Sequence, residues 1–525
     1  MMPQAMKLFR PSLCVLVAGL LSCPVVCAAA GTAAGNAGAS AAEPSAKLTL
    51  ALDSIREVNL RSDVFFIASD ELAGRDTPSE GLKIAARFLR ARLERLGWQP
   101  GAEQGYFYRW DLDSTAVDVA ASQVELTRKV GDKQETAVLQ LGKDYWVGRG
   151  SGRLEQPLEG TLVFGGDASK EALEKVAAEG KWVLVLDSGK DLREARRSLG
   201  RAGARGLLVI PPADYKGESY EKRFAGDLEN LTKGSYQLAR ASDDRPQRSP
   251  AVSSVYLGAE AKQRLLGLLG VKESELATAV LELNVRETRP ATNAGGKLQM
   301  ENVCGYWPGS DPVLSKEVII LSAHYDHVGV GRKGIYNGAD DNGSGTCGLL
   351  AVAEALTHMG PLRRSVLIMW VSGEEKGLWG SEAWNAKPWL PEGCKAVANI
   401  NIDMIGRAGG GAGEPIAMQI TPSHQHEKFS SIVRDAVALG KLFDVAFTSG
   451  DTYYARSDHY NFAKRGVPVV FFCDGEHPDY HMVTDTADRL AYDRMEAVAR
   501  LAFWTGWNVA NAKTKPKELG PQSGW

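Results

Sequence analysis

Residues 317–329 read EVIILSAHYDHVG, an apolar run that closes on a histidine and an aspartate. Aliphatic, β-branched residues bounded by polar ones predict a buried strand. The pattern recurs downstream. SVLIMWVSGEEKGLWGSE (365–382) and AVANINIDMIGR (396–407) are also apolar runs ending in carboxylates, and VPVVFFCDG (467–475) is a fourth. Amphipathic helices are expected near Thr346–His358, Lys428–Leu439 and Tyr492–Asn508. Strands alternating with helices predict an α/β fold, with a central mixed, largely parallel sheet flanked by helices. Ligands of such sheets bind beyond the carboxyl ends of the strands. Every acidic motif of this chain falls there.

Between the first two runs lies NGADDNGSG (337–345), which sets Asp340 and Asp341 side by side in a glycine-rich turn. Alone it reads as a surface turn, because Gly, Asn and Asp dominate turns for backbone reasons. Beside several strand ends that carry acids and histidines, it reads as part of a metal site.

Composition bounds the remaining possibilities. The chain has 525 residues, 44% hydrophobic and 24% charged, with a formal net charge of −3. Its length fits about two to four domains. No sustained Lys/Arg block offers a field for nucleic acid. At the N-terminus, Lys7 and Arg10 precede SLCVLVAGLLSCPVV and then the small residues CAAAGTAAG, the pattern of a secretory signal peptide over 1–30. LLSC, ending at Cys23, loosely resembles a lipoprotein box, but Pro24 and further apolar residues follow it. Export to the periplasm or the medium is therefore expected, without stable membrane insertion. Residues 31–46 are rich in Ala, Gly and Ser and are expected to be a disordered leader. Outside the signal segment, Cys304, Cys347, Cys394 and Cys473 are widely spaced and form no disulfide framework.

The chain also divides by texture. Leu82, Ala86, Leu89, Leu93 and Leu96 follow helical spacing, with Ser79 placed to cap and Gly97 to terminate. From 118 to 289 short β-rich runs such as GTLVFGG, KWVLVLDSG and GARGLLVI alternate with brief helical stretches, and histidine is absent. A segment without histidine, set between a helix and the acidic strands, is expected to be an insertion that supplies no metal ligand. Its polar stretch 214–250 is expected to be a long loop or an extra element. The catalytic domain is then discontinuous, 47–117 plus 290–512, with a tail at 513–525.

Individual residues carry the chemistry. His324 and Asp326 are two apart, so on a strand they face one side, where the carboxylate can orient the imidazole. Glu374 and Glu375 are adjacent and point apart, which suits one ligand and one base. Asp403 ends its strand, and His481 lies between Tyr480 and Asp485. His327 reads as a loop residue; His358, His424, His426 and His477 lack acidic context and read as solvated. Ser457 or Asp458 is expected to cap a helix ending at Gly466. His324, Asp340, Glu375, Asp403 and His481 together exceed what one zinc needs, about three protein ligands plus water. They suit two ions about 3.5–4 Å apart if one carboxylate bridges.

The motifs AHYDH, NGADDNGSG, GEEKGLWGS, NIDMIGR, ARSDHYNF and DYHMVTDT, in this order, resemble the cocatalytic two-zinc exopeptidases. That family includes secreted bacterial aminopeptidases, glutamate carboxypeptidase and the non-enzymatic transferrin receptor. FIASDELAGRDTPSEG (66–81) resembles its opening helix, and the insertion resembles a protease-associated domain. The resemblance implies two zinc ions bridged by Asp340, with Asp341 turned away and a cis peptide after the bridging residue. His324 and Asp403 would complete one ion, Glu375 and His481 the other. Glu374 would be the general base, Asp326 the orienting carboxylate and Tyr480 a hydrogen-bond donor to the oxyanion. The backbone carbonyl of Arg456 would help hold the substrate's amino group. An aminopeptidase acting on peptides with free N-termini is the first reading. A carboxypeptidase or dipeptidase would need arginines such as Arg407 and Arg456 to clamp a terminal carboxylate. A glutaminyl cyclase would use a single zinc, and a receptor-like homologue would have lost ligands.

Overall fold

The computed structural model describes residues 46–525, apart from 149–150, 190, 240–251, 293–296, 408 and 410–413. The expected signal peptide and all of the expected leader except Ala46 lie outside the described residues. Among the described residues no helix is long and apolar enough to cross a membrane, and the four cysteines are free thiols.

The larger sheet is mixed and holds ten strands among the described residues. Its centre is four parallel neighbours in the order Ser365–Val371, Glu317–His324, Lys395–Ile402 and Val469–Cys473. These are the four apolar runs of the sequence. They are mostly apolar because both faces are covered, and the buried Ser322, Asn399 and Asn401 hydrogen-bond one another across neighbouring strands. Val366, Ile368 and Trp370 point into the core on one side, while Leu367, Met369 and Val371 join a second cluster with Trp384 and Phe462 on the other. Helix Gly345–Met359 covers the first face with Leu349, Val352 and Leu356, each no more than 1% exposed. Helix Tyr492–Asn511 packs beside it. Antiparallel strands extend the sheet outward: Leu298–Trp307 and Phe107–Ser114 on one side, Ile416–Thr421 on the other.

Helix Glu80–Arg95 begins where Ser79 accepts a hydrogen bond from the Leu82 amide at 3.1 Å, and Gly97 follows it at φ +80°. The periodic leucines bury against strand Leu298–Trp307.

Among the described residues a second sheet holds eight strands, all between Gln123 and Thr288, with cores of its own. The stretch 214–250 contains two short helices, Tyr220–Arg223 and Ala225–Lys233, and a strand, Tyr236–Leu238. That strand lies outside the second sheet and pairs with Phe107–Ser114 of the first, Leu238 opposite Leu112.

Candidate functional site

Three of the four parallel strands deliver site residues from their carboxyl ends. Strand Glu317–His324 ends in His324, which is 1% exposed. Glu374 and Glu375 follow strand Ser365–Val371, and Asp403 directly follows strand Lys395–Ile402. The loop after the fourth, Val469–Cys473, brings Tyr480 and His481 over the same place.

Two groups of donors form there, each with its atoms within 4.8 Å of one another. In the first, His324 Nε2 lies 3.1 Å from Asp403 Oδ1 and 3.4 Å from Asp341 Oδ1. In the second, His481 Nε2 lies 2.9 Å from Asp341 Oδ2 and 3.2 Å from Glu375 Oε2, and His327 Nδ1 lies 2.8 Å from Glu375 Oε1. Asp341 belongs to both groups, one oxygen to each.

This corrects the expectation for Asp340. Its carboxylate points away from both groups: Oδ1 accepts the Gly406 amide at 2.7 Å, and Oδ2 lies 3.1 Å from His477 Nε2. The helical turn Ala339–Ser344 is kinked at Asp341 and Asn342, which turns the two adjacent acids in different directions. Asp341, at φ −98° and ψ 97°, is the one that faces the histidines. The cis peptide likewise falls between Asp341 and Asn342. His477, read as solvated, instead backs Asp340. The turn also needs glycine at 345, where a Cβ would collide with Asn342 Oδ1 and the Ile402 carbonyl oxygen. Asn342 uses that proximity, donating to the Ile402 carbonyl and accepting from the Gly345 and Met404 amides.

His327 is the second residue that the sequence reading missed. It is fully buried and stands edge-on to the His481 ring at 5.5 Å between centroids. Glu375 therefore divides its oxygens between two histidines. If His327 holds that carboxylate or shares its ion, His327→Ala should weaken zinc binding at these donors by about 10–100-fold. A competition titration with a chromophoric chelator measures this; unchanged affinity would leave His327 a packing residue.

The remaining expected residues surround the groups. Glu374 belongs to neither: its Oε2 is 4.0 Å from His324 Nε2, and it lines the adjacent pocket with Tyr480, Arg456 and Met404. Asp326 is buried, its carboxylate 3.7 Å and its carbonyl 3.2 Å from His324 Nδ1. Ser457 does not cap a helix but donates to Asp403 Oδ2 at 2.7 Å, and Asp458 accepts from Ser381. His459 opens helix His459–Ala463, stacked on Phe471 at 4.4 Å, where burial pushes its imidazole down to about 3. Arg456 pairs with Glu476 at 2.6 Å and reaches the Tyr480 hydroxyl at 3.5 Å. Arg407 pairs with Asp479 at 2.8 Å.

Electrostatics show what the site calls for. Burial works against charge on His481, yet its bonds to Asp341 and Glu375 push it up to about 10. His324 is likewise raised against burial, by Asp403 and Glu374. Burial raises Glu374 well above the usual range, and the charges of Glu375 and Asp403 add to this. Clustered carboxylates demand positive charge at their centre. Cations held by N and O donors would supply it. The donor set, imidazoles with carboxylates, suits zinc.

Residues 302–505 match the sequence model of peptidase family M28. A probable leucine aminopeptidase of Trichophyton verrucosum (strain HKI 0517) is 29% identical over 215 residues, 38% of this chain and 56% of that protein. Leucine aminopeptidase 1 of Leptosphaeria maculans is 27% identical over 217 residues, 39% of this chain and 55% of that protein. The chain thus spans about half the length of these curated relatives. Among solved structures, an aminopeptidase from Aneurinibacillus sp. strain AM-1 aligns with a TM-score of 0.47 at 17% identity, covering 90% of this chain and 98% of that one. A zinc aminopeptidase from Bacillus subtilis aligns at 0.46 and 17%, covering 88% and 97%.

Proposed function

We propose that this chain, whose residues 302–505 match peptidase family M28, is an exported zinc aminopeptidase that removes single residues from the free amino end of peptides. The observation that carries the reading is Asp341 shared between two donor groups, with a buried glutamate beside them that belongs to neither. His324, Asp341 and Asp403 would hold one zinc, and Asp341, Glu375 and His481 the other. Two zinc ions held there would bring the pKa of a bound water toward about 7 and polarise the scissile carbonyl. Glu374 takes the proton released in the attack and hands it to the leaving amine. Tyr480, which lines the pocket, would donate its hydroxyl to the developing oxyanion. Asp326 keeps the His324 ring oriented. The insertion at 118–289, which contributes none of the donors, is read as a protease-associated domain that shapes access, and residues 1–30 as the export signal.

The pocket favours an N-terminal residue. Met404, Tyr453, Phe471 and Cys473 form an apolar wall, while the carboxyl groups of Glu374 and Asp403 offer hydrogen-bond acceptors for an ammonium group. A carboxypeptidase would need a cation free to meet a terminal carboxylate. Arg407 and Arg456 are both engaged by acids. Amino-acid arylamides and peptides with free N-termini should therefore be cleaved one residue at a time, with apolar first residues preferred, and N-acetylation should abolish cleavage. Assays on paired free and acetylated substrates test this; equal rates, or release from the carboxyl end, would overturn it. Elemental analysis of active protein should find two zinc ions per chain, and a single ion would favour a cyclase-like site.

A further inference from the structure

The segment 66–81 lies outside the family match, yet it reaches the back of the donor groups. Arg75, fully buried, donates to the carbonyls of Ile67, Tyr325, Asn337 and Gly338. Those carbonyls belong to the segment itself, to the residue after His324, and to the turn before Asp341. Arg75 thereby fixes the position of its neighbour Thr77, which is 2% exposed.

Thr77 makes two hydrogen bonds with one oxygen. Its hydroxyl donates to Asp326 Oδ2 at 3.0 Å and accepts from the Gly373 amide at 3.1 Å. The other oxygen of Asp326 accepts from the Glu374 amide at 3.2 Å. Three hydrogen bonds therefore join the end of the His324 strand to the backbone that carries both glutamates. The strands themselves pair only as far as His324 and Val371. Beyond that point this bridge replaces the ladder and sets how far Glu374 stands from His324.

We infer that Thr77 is a positioning residue of the catalytic site, acting through Asp326 and Gly373 on both His324 and Glu374. The inference deepens the peptidase reading and rests on it for the role of Glu374. A hydroxyl is required because the point needs a donor toward a carboxylate and an acceptor toward an amide at once. Valine fills the same space and offers neither, leaving a buried amide and a buried carboxylate oxygen short of partners. Displacement of catalytic groups by about 1 Å is enough to cost about 10²-fold in rate.

The test uses the full mature chain loaded with zinc, with Thr77→Val, Thr77→Cys and Thr77→Ser. Turnover, KM and zinc affinity are measured on folded protein, the last by chelator competition, alongside the melting temperature. Thr77→Val should lower kcat by about 10–100-fold with KM little changed, and should weaken zinc binding by about tenfold. Thr77→Ser should restore both to within about threefold, and Thr77→Cys should fall between them. If the valine variant does not fold, the ordering of Ser above Cys still decides. The inference fails if Thr77→Val lowers only the melting temperature, or if Ser is as impaired as Val. Zinc affinity is read without substrate, so the inference stands or falls on it even if the wild-type chain cleaves no peptide.

Discussion

Replacing Glu374 by glutamine is expected to lower turnover by about 10²–10⁴-fold while zinc content stays unchanged. The carboxylate touches neither donor group, so its loss removes no ligand. Its burial, together with the charges of Glu375 and Asp403, raises its proton affinity well above that of a free glutamate. A base so placed can hold a proton between attack and departure of the amine. Glutamine keeps the size and one oxygen but cannot take the proton. Glu375→Gln should behave in the opposite way. That side chain lies 3.2 Å from His481 and 2.8 Å from His327, so its neutralisation should strip metal first and activity as a consequence. Elemental analysis after gel filtration, paired with kcat, separates the two patterns. Metal lost from Glu374→Gln and kept by Glu375→Gln would mean that the roles are reversed.

Asp341→Asn should be the more damaging of the two adjacent substitutions. It removes negative charge from both donor groups at once, so zinc affinity should fall by more than the about 10–100-fold typical of an outer partner. Asp340→Asn changes a buried hydrogen-bonded carboxylate that serves the Gly406 amide and His477. It should retain zinc and destabilise the fold by about 1–3 kcal/mol. Thermal unfolding and zinc analysis of the two variants measure the contrast. The assignment of Asp341 fails if Asp340→Asn loses zinc and Asp341→Asn does not.

The contrast between these two aspartates marks how far the sequence alone could be read. The sheet was legible because each of four apolar runs is buried on both faces, so its composition declares it. His324, Glu374, Glu375 and Asp403 were legible for a related reason: each sits at or just beyond the end of such a run, where a parallel sheet gathers side chains. His481 came from its motif and not from periodicity. What the sequence could not settle is direction and distance. Whether Asp340 or Asp341 faces the histidines depends on backbone torsions in an irregular turn, where one residue of offset reverses the side chain. His327 sits three residues past the strand end, where alternation no longer applies, and only the tertiary fold turns it toward Glu375. Thr77 is 249 residues from Asp326 along the chain; no local pattern connects them. Likewise the strand Tyr236–Leu238 lies in sequence between strands of the second sheet and in space on the larger sheet. Side-chain type and burial are properties of a short window and survive in the sequence. Which of two neighbours points inward, and which distant hydroxyl meets a carboxylate, is decided only when the elements pack.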